Sequence, residues 1–196
     1  MRFPTRVFKP SALPLAGNPK LRVAQLTGSV HFQSSEVFPA TRWHELQAYA
    51  PNVLVGSASD LRRLVERIDL GTVVLTSVDH SIYVVTEVGD KPLDDVLRVV
   101  LWQRFGVPVF EVYTDGLGAV LAHECEAQEG WHVTPGTRAF VDNGELIVYS
   151  SSRAIRTGLF SYFNDNSCVC GREGMRVMQV PQFAENVEAP ALAATA

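Results

Sequence analysis

Apolar positions in the first half of the chain switch between a strand rhythm and a helix rhythm. Val53-Leu-Val55 is a short apolar run, and Leu61, Leu64, Val65 and Ile68 then fall at i, i+3, i+4 and i+7. That spacing lines one face of an amphipathic helix. Ser57 or Ser59 is placed to cap it, since a hydroxyl there accepts a backbone N–H of the first turn. Gly71 ends the helix, residues 72–76 read as the next strand and residues 82–88 as another. Pro92 opens a second helix at a position that tolerates its missing N–H, with Leu93, Val96, Leu97, Val100 and Leu101 inward. Gly106 stops that helix, and residues 107–113 form a buried strand. Upstream, residues 21–26 read as a strand and 39–49 as a short helix with Trp43, Leu46 and Gln47 on one side.

This alternation predicts an α/β fold, a mainly parallel sheet with helices over about residues 50–113. Beyond Tyr113 the helical period disappears. Residues 119–124, 146–149 and 159–163 read as strands separated by Gly, Asp and Asn turns, so the second half is mixed or antiparallel β. Residues 1–20 carry Pro4, Pro10, Pro14 and Pro19, a density that favours an extended arm. Its Phe3, Val7 and Phe8 alternate with Arg2, Arg6 and Lys9, which suits docking on a partner as well as a loose terminus. Residues 181–196 are rich in Ala and Pro and read as a disordered tail. The expected layout is an arm at 1–20, one α/β domain at 21–180 and a tail at 181–196.

Composition narrows the function classes. The chain has 196 residues, 46% hydrophobic and 19% charged, with a net charge of −4. That is enough to bury one core and argues against a nucleic-acid surface, which needs clustered Lys and Arg. The apolar runs are too short to span a bilayer. Three cysteines, an odd number without a secretory leader, point to a reducing cytoplasm.

Those cysteines carry the concentrated chemistry. Cys125-Glu-Ala-Gln-Glu-Gly-Trp-His132 is a C-x6-H arm, and Cys168-Val-Cys170-Gly171-Arg172 is a C-x-C arm. Together they read as two halves of a Cys3His zinc site, with Gly171 allowing a sharp turn after the second thiolate. Three reduced buried thiols beside an incidental histidine fit the same spacing. His123, two residues from Cys125 on a strand, shares its face and is an alternative nitrogen ligand. Asp79-His80-Ser81 reads as a polar loop, because adjacent side chains on a turn diverge. Thr27-Gly28-Ser29 and Ser34-Ser35 lack the glycines and lysine of a phosphate loop.

The same stretch resembles a known family. Phe105-Gly-Val-Pro-Val-Phe-Glu-Val-Tyr113, Ala119-Val-Leu-Ala-His-Glu-Cys125, Gly130-Trp-His132, Gly144-Glu-Leu-Ile-Val148, Ile155-Arg-Thr-Gly158 and Cys168-Val-Cys-Gly-Arg172 occur in the order found in phenylacetate–CoA ligases. Upstream, Pro51-Asn-Val-Leu-Val-Gly-Ser-Ala-Ser59 is similar to that family's strand, loop and short helix. These enzymes are a branch of the adenylate-forming acyl-CoA synthetases. The resemblance covers about residues 50–175 and implies a truncated relative. Some members hold a structural zinc with equivalent cysteines and a histidine, which implies Cys125, His132, Cys168 and Cys170 here.

The resemblance also implies what has been lost. The family's aromatic-Gly-x-Thr-Glu motif contacts adenine, phosphate and magnesium; here it reads Tyr113-Thr-Asp-Gly-Leu117, with leucine in place of the glutamate. Asp115 lies two residues from that position, too far along a turn to stand in. The Arg-Thr-Gly-Asp motif, whose aspartate grips the ribose hydroxyls, reads Arg156-Thr157-Gly158-Leu159. Tyr113, Thr114 and Arg156 are left as a remnant nucleotide pocket. The phosphate loop is unrecognisable, and the chain ends soon after the C-x-C arm, where the family continues into a lid with a catalytic lysine. The two leucines suggest a filled pocket. The expectation is a non-catalytic structural or accessory protein with a protein partner or a homo-oligomer. A nucleotide or acyl-CoA binder, or a partial ligase completed by another chain, is the alternative.

Overall fold

A computed structural model describes residues 21–26, 32, 35–150, 153–164, 166–172 and 176–180. The proposed arm, the residues 27–31 and 33–34 weighed as a phosphate loop, and the tail lie outside the described residues. Five strands run parallel: β1 (Val23–Gln25), β2 (Ser35–Val37), β3 (Val53–Ser57), β4 (Ser81–Glu87) and β5 (Val109–Thr114), in the order β2-β1-β3-β4-β5. Helices α1 (Trp43–Tyr49), α2 (Ala58–Asp69) and α3 (Asp95–Phe105) lie between them in sequence. Leu46 of α1, Leu61 and Leu64 of α2, and Leu97 and Leu101 of α3 share one core with Leu54, Ile82, Val84 and Val109 of the sheet. A second cluster, with Val53, Val55, Tyr83, Val85, Phe110 and Val112, holds the alternate strand positions. Alternation along a strand sends successive side chains to opposite faces, so this parallel sheet is buried on both.

From β5 the sheet continues antiparallel through β6 (Val120–Glu124) and β7 (Trp131–Val133), and then jumps to β11 (Arg176–Gln179). Beyond β11 come β10 (Arg153–Asn164), β9 (Glu145–Ser150) and β8 (Arg138–Asp142), again antiparallel. Tyr113, Leu121, Trp131, Leu146, Val148, Leu159 and Val177 form the core of this part. The expected order, parallel with helices and then antiparallel, is the observed one.

Several local expectations are corrected. Residues 72–76 make no strand, because β3 pairs directly with β4, Val53 opposite Ser81, and leaves them no ladder partner. They lead the chain from α2 back towards the interior strand β4, with Val73 buried as an anchor and Val78 buried just beyond them. Pro92 precedes α3 rather than opening it; Asp94 is the N-cap and accepts the Leu97 N–H at 2.6 Å. Val96 and Val100 of α3 face outward, at 68% and 37% exposure, while Leu97 and Leu101 face in. The short strands β2, β7, β8 and β11 went unanticipated, since three to five residues with few apolar positions carry little periodicity. No helix among the described residues is long and apolar enough to cross a membrane.

Candidate metal centre

The C-x6-H arm is a hairpin. Cys125 follows β6 directly and His132 is the middle residue of β7, with Gln128 and Gly130 at φ of 52° and 81° turning the chain between them. The C-x-C arm lies between β10 and β11, where Gly171 turns at φ 75°. The arms meet because β11 pairs with β7, Arg176 opposite His132. The ligand atoms of Cys125, His132, Cys168 and Cys170 all lie within 4.8 Å of one another. Cys125 Sγ is 3.6 Å from Cys168 Sγ, and Cys170 Sγ is 3.4 Å from His132 Nε2.

These separations suit tetrahedral coordination. Zinc–sulfur bonds of about 2.3 Å place two thiolates about 3.8 Å apart across a tetrahedral angle. The group could therefore hold a metal ion of that size. Cys125, His132 and Cys168 are buried and Cys170 is half-buried. Burial, and then the neighbouring thiols, push the Cys125 thiol up to about 12. His123 stands opposite His132 across the β6–β7 ladder, ring centroids 6.2 Å apart. It is His132 that joins the three cysteines, and His123 is outside the 4.8 Å group. Both His123 ring nitrogens are buried without a hydrogen-bond partner, and burial, then the charges of His132 and Arg172, hold it down to about 4.

A second clasp joins the same arms. Arg172 donates to both carboxylate oxygens of Glu126, at 2.5 and 2.8 Å. That pairing, against the opposing effect of burial, holds the Glu126 carboxyl down to about 2. Arg176, 3% exposed, donates to the Glu129 backbone oxygen at 2.9 Å and its carboxylate at 3.0 Å. The readable signal was an acid beside the first cysteine and an arginine two past the last. Sequence reasoning also missed a buried network at the β5–β6 junction. Arg98 of α3 holds both Glu124 oxygens at 2.9 Å, Glu124 accepts the Glu111 N–H at 2.7 Å, and Glu111 accepts from Thr86 and Leu93.

The motif positions are spread out. Tyr113 and Thr114 end β5 fully buried, with the Tyr113 ring stacked on Trp131 at 5.2 Å and 13°. Leu159 is buried in the same cluster. Arg156 is exposed on β10 and paired with Glu145 and Asp142. Thr157-Gly158 forms an irregularity in the β9–β10 ladder between Arg156 and Phe160, with Gly158 at φ 72°. The Thr157 hydroxyl donates to the Leu146 carbonyl at 2.7 Å. Leu117 is 89% exposed on the β5–β6 turn, so of the two leucines only Leu159 fills a core. His80 Nδ1 lies 2.8 Å from Ser81 Oγ, and Asp79 accepts instead from Asn52.

A 2-hydroxyisobutyryl-CoA ligase in complex with 2-HIB-AMP and CoA superposes with a TM-score of 0.63 at 12% identity, over 82% of this chain and 44% of that one. Coronafacic acid ligase from Pectobacterium brasiliense matches at 0.55 and 12%, over 88% and 40%. An anthranilate CoA ligase in complex with anthranoyl-AMP matches at 0.54 and 12%, over 81% and 39%. The chain has the fold of part of an acyl-CoA ligase. It spans less than half the length of each of these proteins. No protein-family model and no curated protein matches it.

Proposed function

We propose that this ligase-like unit is a non-catalytic structural or accessory protein, braced by one zinc ion and acting through contact with another protein or a second copy of itself. The observation that carries the reading is Leu159. At the position matching the ribose-binding aspartate of phenylacetate–CoA ligases, its side chain is 5% exposed and packed with Tyr113, Trp131 and Leu146. A leucine offers a ribose no acceptor, and two hydroxyls buried against it would lose their hydrogen bonds. Tyr113, matching the adenine-stacking aromatic, already has a ring face against Trp131. Leu117, matching the magnesium-binding glutamate, has no oxygen to offer a metal.

Cys125, His132, Cys168 and Cys170 would hold the zinc. Four protein ligands close the shell, which makes the ion a cross-link between two hairpins with no open position for water. The arm at 1–20, the domain at 21–180, the tail at 181–196 and a cytoplasmic location belong to the same reading. A second reading, a ligase part completed by another chain, is supported by the coverage of less than half of each ligase. A third keeps a small-molecule site at Tyr113, Thr114 and Arg156.

Co-purification of the full chain with mass spectrometry separates these, alongside calorimetry with ATP, AMP and acyl-CoAs. A stoichiometric protein partner without heat from any nucleotide supports the accessory reading. Saturable nucleotide or acyl-CoA binding by the chain alone overturns it. A partner whose addition creates adenylation establishes the second reading.

A further inference from the structure

The four candidate ligands are not equally shielded. Cys125, His132 and Cys168 are buried, at 0%, 2% and 4% exposure, whereas Cys170 is half-buried. Cys170 sits in the turn that the Gly171 N–H closes on the Cys168 carbonyl at 3.0 Å, next to Val169, which is exposed. The tip of the C-x-C arm therefore stands in solvent and brings one sulfur to the surface with it. That sulfur accepts the Arg172 backbone N–H at 3.4 Å, and the Arg172 side chain is anchored on Glu126 of the other arm.

Behind this accessible sulfur lie two buried ones. The ligand atoms of all four residues are within 4.8 Å of one another, and Cys125 Sγ is 3.6 Å from Cys168 Sγ. A cysteine bound to a metal is a thiolate, which is the nucleophilic form of sulfur. A thiolate that solvent can reach, with a second thiolate poised next to it, is the arrangement that reacts with peroxides. Three shielded ligands show that this fold can bury a sulfur at the site, and it leaves Cys170 open.

We propose that Cys170 is a site of oxidation by hydrogen peroxide, and that its oxidation closes a disulfide to Cys125 and releases the metal ion. The proposal rests on the reading that these four residues hold one zinc, and it names the regulation of that site. The Cys170 thiolate attacks one peroxide oxygen; an S–O bond forms, the O–O bond breaks, and hydroxide leaves. The Cys125 thiolate then attacks the Cys170 sulfur; an S–S bond forms, the S–O bond breaks, and a second hydroxide leaves. Two protons from solvent turn both hydroxides into water. The two thiolates lose two electrons, the peroxide gains them, and the metal keeps its oxidation state. Cys168 is one residue from Cys170, and a disulfide closed over so short a span is strained. Cys125 comes from the other arm and escapes that constraint. Cys168 and His132 alone are too few to retain the ion. The new disulfide ties the same two arms, so the β7–β11 pairing stays tethered after release. Reduction by a thiol reverses the step.

The test uses the full wild-type chain, with its zinc content measured first. Hydrogen peroxide is then added with a chromogenic zinc chelator present. About one zinc per chain is expected to be released. Peptide mapping under non-reducing conditions should show Cys125 joined to Cys170, and dithiothreitol with added zinc should restore the metal. Dimedone, which traps sulfenic acids, should label Cys170 ahead of Cys125 and Cys168. Zinc that stays bound while glutathione in the same sample is oxidised overturns the switch and leaves the structural zinc standing. Earlier labelling of a buried cysteine, or a disulfide that forms only in denaturant, also overturns it. Protein that carries no zinc when purified without chelator refutes the zinc reading, and this proposal with it.

Discussion

Cys170 is the half-buried member of the four-ligand group, and its replacement tests the metal with the least damage to the core. Purified protein should carry about one zinc per chain by metal analysis. Cys170→Ser should bind it more weakly and melt at a lower temperature, since a hydroxyl is a poor zinc ligand. Chelator should lower the wild-type melting temperature and leave the variant little changed. Glu111 makes a separate prediction. Burial raises its carboxyl from the ordinary 4.5 to about 7, with Glu124 adding to the rise and the Thr86 and Leu93 hydrogen bonds and Arg98 opposing it. The folded state therefore keeps a proton that the unfolded chain releases at lower pH. The resulting stability is present below about 4.5 and is lost as pH rises through about 7. Glu111→Gln keeps an acceptor for Thr86 and Leu93 and should flatten this dependence, with a gain on the order of 2 kcal/mol at about pH 8 in chemical denaturation. The metal-binding candidates were legible because all three cysteines fall in two short clusters, one of them followed by a histidine. Glu111 was not, because nothing in a strand sequence marks one carboxylate as lying beneath a helix N-terminus.

At the scale of elements, the pairing of β7 with β11 brings the two arms together, and Gly130 permits it. A Cβ there would lie 2.6 Å from both the Val177 backbone oxygen and the Met178 sulfur, in a backbone already at φ 81°. Gly130→Ala should destabilise by about 2–4 kcal/mol and weaken metal binding with it. Gly136 has a similar φ of 83° and open space around it. Gly136→Ala should cost only the backbone penalty of about 1 kcal/mol, so the difference between the two denaturation curves isolates the close approach. Helix α2 was readable because one face is apolar and the other charged. Helix α3 was read only half correctly, because Val96, Val99, Val100 and Trp102 are as apolar as the leucines opposite them.

For the molecule as a whole, the metal arms belong entirely to the antiparallel part, while α2 and α3 brace the parallel part. Removing the ion should expose amides of β6, β7, β10 and β11 to hydrogen exchange before those of β3 and β4. Uniform loss of protection would mean that the two parts unfold as one. In pyrophosphate exchange with ATP and carboxylic acids, phenylacetate included, the chain should show no activity, and Leu117→Glu with Leu159→Asp should not create any. Activity of the wild-type chain alone would refute the non-catalytic reading.

The sequence by itself determined the buried face of α2, the change from parallel to antiparallel sheet and the identity of four metal-ligand candidates. Each depends on near neighbours in the chain: a 3.6-residue period, a two-residue alternation, a spacing between thiols. Tertiary structure decided what joins distant segments. It inserted β11 beside β7, chose His132 over His123, clasped Glu126 to Arg172, and buried Leu159 while leaving Leu117 exposed. Local pattern shows that a residue is apolar or can ligate. Which neighbour it meets depends on strand order, and strand order is fixed only when the whole sheet closes on its cores.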